Sequence, residues 1–296
     1  MSEFRSGFVS FVGRPNVGKS TLTNALVGEK VAITSAKPQT TRRAIRGIAN
    51  RDSGQLILVD TPGLHRPRTL LGERLNDLVE NTLGDVDVIG FCVPANEKIG
   101  PGDTFINEQL SKYRKAKLVA IVTKSETVSR DRLAEQLVAV SKLRDWAAVI
   151  PVSAVSGEQV GELAELLIGM LPISNALYPT DVVTDESLEQ RICELIREAA
   201  LEGVHDELPH SIAVTIDEMG DRETGEVFDI HANVWVERDS QKGIIIGKGG
   251  SRLKVVGSQS RKEIEQLVGK KVFLSLRVKV SADWQRDPKA LGRLGF

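Results

Sequence analysis

The chemistry of this sequence begins with a phosphate-binding loop close to its N-terminal end. Residues 13–20 read Gly-Arg-Pro-Asn-Val-Gly-Lys-Ser, which matches the spacing G-x-x-x-x-G-K-S. The glycines let backbone N–H groups turn toward phosphate oxygens, while Lys19 supplies a positive charge and Ser20 a hydroxyl for Mg²⁺. The sequence therefore predicts a nucleotide site made by Gly13, Arg14, Pro15, Asn16, Val17, Gly18, Lys19, Ser20 and Thr21.

A second segment suited to phosphate and metal binding is Asp60-Thr61-Pro62-Gly63, which follows an apolar run. Ligands of parallel sheets bind outside the carboxyl ends of the strands, which is where this tetrapeptide lies if the run is a strand. Asp60 is then placed to hold Mg²⁺, directly or through water, and the N–H of Gly63 to meet a γ-phosphate. Taken alone the tetrapeptide is an ordinary turn, so its meaning depends on the phosphate loop.

Short apolar runs alternate with longer amphipathic segments in the first part of the chain, which predicts a doubly wound α/β domain with a mostly parallel sheet. The predicted strands are Phe8–Val12, Arg43–Ala49, Leu56–Asp60, Val86–Val93, Leu118–Thr123 and Ala147–Val152, with a hairpin turn at 51–54. The predicted helices are Thr21–Val27, Asp103–Lys112, Arg130–Leu143 and Val160–Leu171. This arrangement brings the carboxyl ends of the strands, and hence the two phosphate segments, to one edge of the sheet.

The alternation stops near Leu171–Asp185, where proline and polar residues predict a linker. The elements predicted after it are a helix at Ser187–Glu202, strands at Ile212–Glu218 and Val227–Glu237, a helical region at Ser240–Val268 and a strand at Lys271–Val280. The order α-β-β-α-α-β is that of an α+β domain. We expect a nucleotide domain at 1–172, a linker at 173–185, an α+β domain at 186–282 and a tail at 283–296. Trp235 and Phe273 are expected in the core of the second domain.

Charge is distributed unevenly along the 296 residues, although Lys plus Arg (39) and Asp plus Glu (40) nearly cancel. Residues 237–296 contain 14 basic and 6 acidic side chains, a net charge of +8, whereas the remainder carries −9. The C-terminal part is therefore suited to a polyanion and the N-terminal part is not. A hydrophobic content of 41% excludes a disordered chain, and two cysteines exclude a disulfide framework. We expect a protein of a reducing compartment, without a signal peptide or a bilayer-spanning segment.

The phosphate loop and Asp60-Thr61-Pro62-Gly63 together resemble those of translation-factor-type GTPases. The resemblance implies that a threonine of the first switch segment coordinates Mg²⁺ beside Ser20 and Asp60; Thr41 is the first choice and Thr40 the second. It also implies catalytic roles for Lys19, Thr41 and Gly63. Leu64 stands where related enzymes have a water-positioning glutamine, and Asn16 resembles the residue that binds potassium in related enzymes.

The guanine-reading motif of these GTPases, N-K-x-D, corresponds here to Thr123-Lys124-Ser125-Glu126. Glu126 keeps the carboxylate that rejects adenine but adds one methylene, and Thr123 keeps a hydroxyl in place of the asparagine amide. The last base-contact motif corresponds to Ser153 and Ala154. These departures leave open a P-loop ATPase as an alternative.

The basic segment contains I-G-x-x-G, in which Gly247, Lys248, Gly249 and Gly250 follow Ile246. Such a turn between two helices lets backbone amides approach a sugar-phosphate strand, with an adjacent apolar groove for about four nucleotides. In the order α-β-β-α-α-β it resembles a type II KH domain. The implied RNA contacts are Lys242, Gly247, Lys248, Gly249, Gly250, Arg252 and Lys254.

The order of the two domains and the C-terminal W-Q-R-D-P-K-A-L-G-R-L-G-F resemble the Era family of bacterial GTPases over the whole chain. The resemblance implies GTP and GDP as ligands, Mg²⁺ and K⁺ as cofactors, and the 3′ end of 16S rRNA in the maturing small ribosomal subunit as partner. It implies a cytoplasmic monomer without DNA binding, with peripheral association at the inner face of the cell membrane in some members. The alternative from another class is an RNA-binding assembly scaffold with a weakly active or inactive nucleotide domain.

Overall fold

The computed structural model describes residues 3–34, 41–62, 69–204, 208–223 and 225–296. Its contacts divide these residues into two compact units. Unit 1 contains the described residues up to Asp185, apart from 69–73, and unit 2 contains those of 69–73 and 186–296. Each unit has its own sheet.

The sheet of unit 1 has six strands in the order β2-β3-β1-β4-β5-β6. They are β1 (Arg5–Val12), β2 (Ile45–Arg51), β3 (Gly54–Asp60), β4 (Val88–Pro94), β5 (Lys117–Thr123) and β6 (Ala148–Pro151). All neighbouring strands are parallel except the antiparallel hairpin of β2 and β3. The predicted α/β class, the six strands and the hairpin turn are therefore confirmed.

Helices cover both faces of this sheet, as the nearly continuous hydrophobicity of the strands predicts. They are α1 (Lys19–Val27), α2 (Leu70–Asp85), α3 (Pro101–Gln109), α4 (Arg130–Ser141) and α5 (Val160–Met170). Along β4, Val88 and Cys92 belong to the core shared with α1 and α5, while Ile89 and Phe91 belong to the core shared with α2, α3 and α4. Gly90 allows close packing, since a Cβ there would lie 2.6 Å from the Phe11 ring.

The sequence analysis did not predict helix α2. Leu71, Leu75, Val79 and Leu83 recur every four residues along it and are all buried. This spacing places one apolar stripe on the sheet side of a helix. The helical signal was therefore present in the sequence, in a stretch for which no element was predicted.

The segment 173–185, predicted as a linker, packs along the edge strand β2. Ile48 donates a backbone hydrogen bond to Val183 (2.8 Å), and Arg46 pairs with Asp185 at 2.8 Å. The buried side chain of Gln55 accepts hydrogen bonds from the N–H groups of Leu177 and Tyr178. The segment is thus a structural part of unit 1, and the proposed domain limits stay a prediction.

Unit 2 follows the predicted order of elements. It contains α6 (Leu188–Leu201), β7 (Ala213–Asp221), β8 (Val227–Val236), α7 (Asp239–Ile246), α8 (Ser251–Val268), β9 (Lys271–Val280) and α9 (Pro288–Arg293). The sheet order is β7-β8-β9, with β8 antiparallel to β7 and parallel to β9. Helices α6, α7 and α8 pack on one face of this sheet.

The tail predicted at 283–296 is a folded part of unit 2. Trp284 is fully buried, stacks on Phe296 with ring centroids 5.5 Å apart, and donates its indole N–H to the Ser211 carbonyl. Asp287 caps α9, which buries Leu291. The tail therefore supplies core residues to unit 2. Across the described residues, no helix combines the length and hydrophobicity needed to cross a membrane.

Candidate functional site

The phosphate loop lies between β1 and α1, and its glycines are required by two different contacts. A Cβ on Gly13 would lie 2.6 Å from the Cys92 carbonyl oxygen, so the backbone approaches β4 too closely for any side chain. Gly18 caps α1 in the left-handed region, with φ of 99°, which L-residues with a Cβ rarely adopt. These positions set the curvature that presents the loop's N–H groups.

Lys19 is buried at the mouth of this loop. Its ammonium donates hydrogen bonds to the carbonyls of Gly13 (3.1 Å) and Arg14 (3.0 Å). Burial lowers the Lys19 pKa, and the nearby Asp60 carboxylate acts in the opposite direction. A buried ammonium held by neutral carbonyls and one carboxylate is well suited to receive further negative charge.

Asp60, at the end of β3, brings three side-chain oxygens together. Its Oδ2 accepts hydrogen bonds from Ser20 Oγ (2.8 Å) and Thr41 Oγ1 (3.0 Å), and those two hydroxyls lie 3.3 Å apart. Asp60 Oδ1 is buried without a hydrogen-bond partner among the described residues. Burial raises the Asp60 pKa, against the lowering effects of Ser20, Lys19 and Thr41. Carboxylate and hydroxyl oxygens around one unsatisfied oxygen fit a hard cation such as Mg²⁺.

The segments corresponding to the base-reading motifs reach the same edge of the sheet from β5 and β6. The buried hydroxyl of Thr123 donates to the Val17 carbonyl at 2.6 Å, which ties the end of β5 to the phosphate loop. Lys124 adopts a left-handed conformation (φ 57°), and Glu126 follows as an exposed side chain. Ser153 Oγ accepts the N–H of Ser156 at 3.0 Å, fixing the turn that contains Ala154.

The side chain of Arg14 points toward α3 rather than into the loop. Its guanidinium pairs with Asp103 and Glu97, each at 2.8 Å. Asp103 is fully buried and also accepts the N–H of Gly100 at the start of α3. Only the backbone of Arg14 therefore remains in the phosphate loop, where its carbonyl holds Lys19.

The structure gathers most of the predicted nucleotide-site residues at the carboxyl edge of the sheet. These are Gly13, Pro15, Asn16, Val17, Gly18, Lys19, Ser20, Thr21, Thr41, Asp60, Thr61, Pro62, Thr123, Lys124, Glu126, Ser153 and Ala154. Asn16 has a left-handed backbone, with φ of 64°. Gly63, Leu64 and the alternative switch threonine Thr40 lie outside the described residues.

Unit 2 carries an open groove of about 430 Å³ beside the glycine turn. Gly247, Gly249 and Gly250 have φ of 72°, 59° and 80°, which turns the chain sharply from α7 into α8. The groove lies between α8 and β9, and it is lined by Gly250, Leu253, Lys254, Gly257, Ser258, Arg261, Leu274 and Leu276. An apolar floor with basic side chains at its rim is the arrangement expected for a nucleic-acid strand.

The sequence analysis predicted only part of this groove. Gly250 and Lys254 line it, whereas Leu253, Gly257, Ser258, Arg261, Leu274 and Leu276 were not predicted. The signal for the helical members was their three- and four-residue spacing on one face of α8. The two leucines are two residues apart on β9, which places them on the same face of the strand.

The other predicted RNA contacts lie outside the lining of the groove. Lys248 is exposed in the turn, and Lys242 is half-buried on α7. The Arg252 guanidinium donates to the carbonyls of Ala200 (3.2 Å) and Glu202 at the end of α6. Cations at helix C-termini satisfy the last carbonyls, so this side chain has a structural partner.

The prediction that Phe273 belongs to the core is wrong, and that for Trp235 holds only in part. Phe273 is 45% exposed, and Trp235 is half-buried with its indole N–H on Thr215 Oγ1. Both lie on the face of the sheet opposite the helices. Alternation along a strand predicts two faces, but it does not say which face is covered.

Comparison with known families agrees with the two-unit architecture. A family model described as "50S ribosome-binding GTPase" matches residues 8–124, and a model described as "KH domain" matches residues 207–285. Together with the site geometry, these matches define the class of protein: a P-loop GTPase followed by a KH domain.

Relatives and solved structures narrow the assignment. The chain is 64% identical to GTPase Era of Mycobacterium sp. strain KMS over 299 residues, covering all of both chains. It is 62% identical to GTPase Era of Streptomyces coelicolor over 301 residues, covering 99% of this chain and 95% of the relative. A crystal structure of Era in complex with MgGDPNP and nucleotides 1506–1542 of 16S ribosomal RNA shares 34% identity and a TM-score of 0.94, covering 99% of each chain. An Aquifex aeolicus Era structure bound to GDP and AlF₄⁻ has the same identity, coverage and TM-score. The chain belongs to the Era family of GTPases.

Proposed function

We propose that this chain is a GTP-hydrolysing switch whose KH unit binds the 3′ end of 16S rRNA and assists maturation of the small ribosomal subunit. The observation that carries the proposal is the meeting of Lys19, Ser20, Thr41 and Asp60 at one sheet edge. The groove beside the glycine turn supplies a second, separate surface for RNA. Both ligands occur together in the Era structure with MgGDPNP and 16S rRNA nucleotides.

In the nucleotide site we assign Ser20, Thr41 and Asp60 to Mg²⁺ and Lys19 to the β- and γ-phosphates. When bound, Mg²⁺ neutralises charge on the phosphate oxygens. Lys19 stabilises negative charge there because its ammonium is already desolvated and held by the Gly13 and Arg14 carbonyls. Thr41 reaches Asp60 from the first switch segment, so its hydroxyl links that segment to the metal site. Gly63 is proposed to donate its N–H to the γ-phosphate.

We assign Glu126 to recognition of the guanine edge, with Thr123 holding the base-reading loop on the phosphate loop. The test is binding of labelled GTP, and its competition by ATP, for the wild type and Glu126→Asp. Because aspartate restores the shorter reach of the family motif, the variant is expected to bind GTP several-fold tighter, with ATP competing poorly in both proteins. Glu108→Asp, on the exposed side of α3, is the matched control. Unchanged GTP affinity in Glu126→Asp contradicts the assignment, and efficient competition by ATP favours the ATPase alternative.

Coupling between nucleotide and RNA is the switch part of the proposal. Switch segments of GTPases change order with the γ-phosphate, so the affinity of unit 2 for a 3′-end RNA oligonucleotide is expected to differ between GTP-analogue and GDP states. Equal affinities refute coupling. Absence of GTP turnover with and without RNA and potassium supports the alternative of an RNA-binding scaffold.

Three finer expectations remain part of the proposal: potassium binding at Asn16, a monomeric state, and peripheral contact with the inner face of the cell membrane. Hydrolysis in potassium against sodium tests the first, and sedimentation in each nucleotide state tests the second. Co-flotation with anionic vesicles tests the third.

A further inference from the structure

The three-stranded sheet of unit 2 has one face that the helices leave open. Along β8 the even-numbered residues from Ile230 to Val236 are buried on the helix side. The odd-numbered residues face the other way and align with the odd-numbered residues of β9, so that Asp229 pairs in register with Phe273 and Asn233 with Arg277. We call the surface formed by these odd-numbered residues the outer face.

Aromatic rings and cations meet on the outer face. Phe273 is 45% exposed, with the Arg222 guanidinium 5.1 Å from its ring centroid and the His231 ring edge-on at 6.0 Å. Lys279 and Arg293 lie 5.3 Å and 5.1 Å from the Trp235 ring. Exposed aromatic rings beside arginine and lysine provide the stacking and charge that unpaired RNA bases use.

Charge on the outer face is graded from one edge to the other. The acidic side chains Asp217 and Glu218 lie on β7, whereas Arg277 and Lys279 lie on β9. Asp229, on the central strand, is paired with Arg222 at 2.7 Å. The half of the face that adjoins β9 is therefore the half that complements a polyanion.

The same half is continuous with the groove, because β9 is the edge strand of the sheet. Leu274 and Leu276 line the groove, while Phe273 and Arg277, their neighbours in sequence, point to the outer face. Successive residues of a strand are about 3.3 Å apart. An RNA strand that leaves the groove across this edge therefore meets Phe273 within about one nucleotide.

We propose that Phe273 and Arg277 form a second RNA subsite, which takes an unpaired nucleotide adjacent to those held in the groove. The inference deepens the proposed function and depends on RNA occupying the groove. The Phe273 ring stacks on the base, and Arg277 contacts the adjoining phosphate. The groove accommodates about four nucleotides, so the subsite contributes only to longer RNA.

The test is fluorescence anisotropy of the full chain with two oligonucleotides from the 3′ end of 16S rRNA, one of four and one of about ten nucleotides. Phe273→Ala is expected to weaken binding of the longer RNA about tenfold, which is the usual contribution of one stacked base, and to leave the shorter one unchanged. Phe273→Tyr retains the ring and is expected to bind like the wild type. Leu188→Ala, an exposed apolar residue of the same unit, is the matched control.

Two further outcomes separate this inference from the proposed function. Unchanged affinity of Phe273→Ala for the longer RNA, or equal loss for both RNAs, overturns the subsite. Lys254→Gln, which alters the groove, is expected to weaken both RNAs. If it weakens neither, RNA does not occupy the groove and the proposed RNA binding fails; if only the Phe273 variant behaves otherwise than expected, the subsite alone fails.

Discussion

The phosphate loop of unit 1 and the glycine turn of unit 2 share a local design but differ in burial. In each, a glycine in the left-handed region begins a helix, Gly18 before α1 (φ 99°) and Gly250 before α8 (φ 80°). In each, a lysine lies beside that glycine: Lys19 is 8% exposed and hydrogen-bonded to backbone carbonyls, whereas Lys248 is exposed. The same elements therefore produce two different environments for phosphate.

The difference in burial fits the different tasks of the two regions. Removing water strengthens every electrostatic contact, so a desolvated lysine near a metal site can stabilise charge that develops during phosphoryl transfer. An RNA strand must be bound and released along its length, for which an exposed cation beside an apolar groove is sufficient. The predictions below test this contrast, beginning with the largest expected effect.

Replacing Lys19 by methionine is expected to lower kcat/KM for GTP by about 10²–10³-fold, because one preorganised donor to the transferred group is lost. Steady-state phosphate release measures the effect. Binding of a four-nucleotide RNA by unit 2 is the control and is expected to stay unchanged. Loss of RNA binding in this variant would contradict the separation of the two sites.

Replacing Trp284 by alanine is expected to lower the free energy of unfolding of unit 2 by about 3–5 kcal/mol, since a fully buried indole and its hydrogen bond to Ser211 are removed. Denaturant unfolding followed by circular dichroism measures the change. GDP affinity is expected to remain that of the wild type, because Trp284 belongs to unit 2. Val138→Ala, at an exposed site on α4, should change stability by less than about 0.5 kcal/mol.

Replacing Asp60 by asparagine is expected to weaken Mg²⁺-dependent GTP binding about 100-fold, equivalent to about 2.7 kcal/mol, while leaving the ligand-free protein at least as stable at pH 7. Burial raises the Asp60 pKa in the folded state. The stability that this carboxyl contributes is therefore greatest below its ordinary pKa of about 3.9 and is lost as pH rises through the folded value.

The amide of Asp60→Asn does not ionise, so the ligand-free variant escapes that loss. Thermal unfolding between pH 4 and 8, with and without Mg²⁺ and GTP, measures both effects. A ligand-free variant that is less stable than the wild type across this range would refute the account of Asp60.

The smallest effect is expected for Lys254→Gln, at the rim of the groove. RNA affinity should fall a few-fold, and the slope of log affinity against log salt should decrease by about one, because one phosphate contact is removed. Titrations at several potassium chloride concentrations measure the slope. Lys142→Gln, an exposed lysine of unit 1, is the control. An unchanged slope for Lys254→Gln would place the RNA backbone elsewhere.

The parts of the fold that the sequence predicts well are those with strong local signals. The strands of unit 1 are continuous apolar runs, and the order of elements in unit 2 is punctuated by glycine and proline. Helix α2 was missed although Leu71, Leu75, Val79 and Leu83 follow helical spacing. Its start lies beside the Asp60-Thr61-Pro62-Gly63 segment, where turn signals dominate the local pattern.

The direction of individual side chains was the least predictable feature of the two sites. Arg14 belongs to a phosphate-binding motif but pairs with Asp103, and Arg252 lies in a basic segment but caps α6. An arginine side chain reaches in many directions from its backbone, and its partner is chosen by groups far away in sequence. Residue type and position alone therefore indicate charge in a region, but not the contact that the charge makes.

By itself, the sequence determined the phosphate loop, the division into two units and the basic charge of the second, because each depends on local spacing or composition. Only the tertiary structure decided which oxygens meet at Asp60, that Trp284 of the tail completes the core of unit 2, and that Phe273 lies on an open face. These features depend on pairing of strands and packing of helices between residues distant in the chain. Local periodicity defines the faces of an element, whereas the fold decides which face is covered.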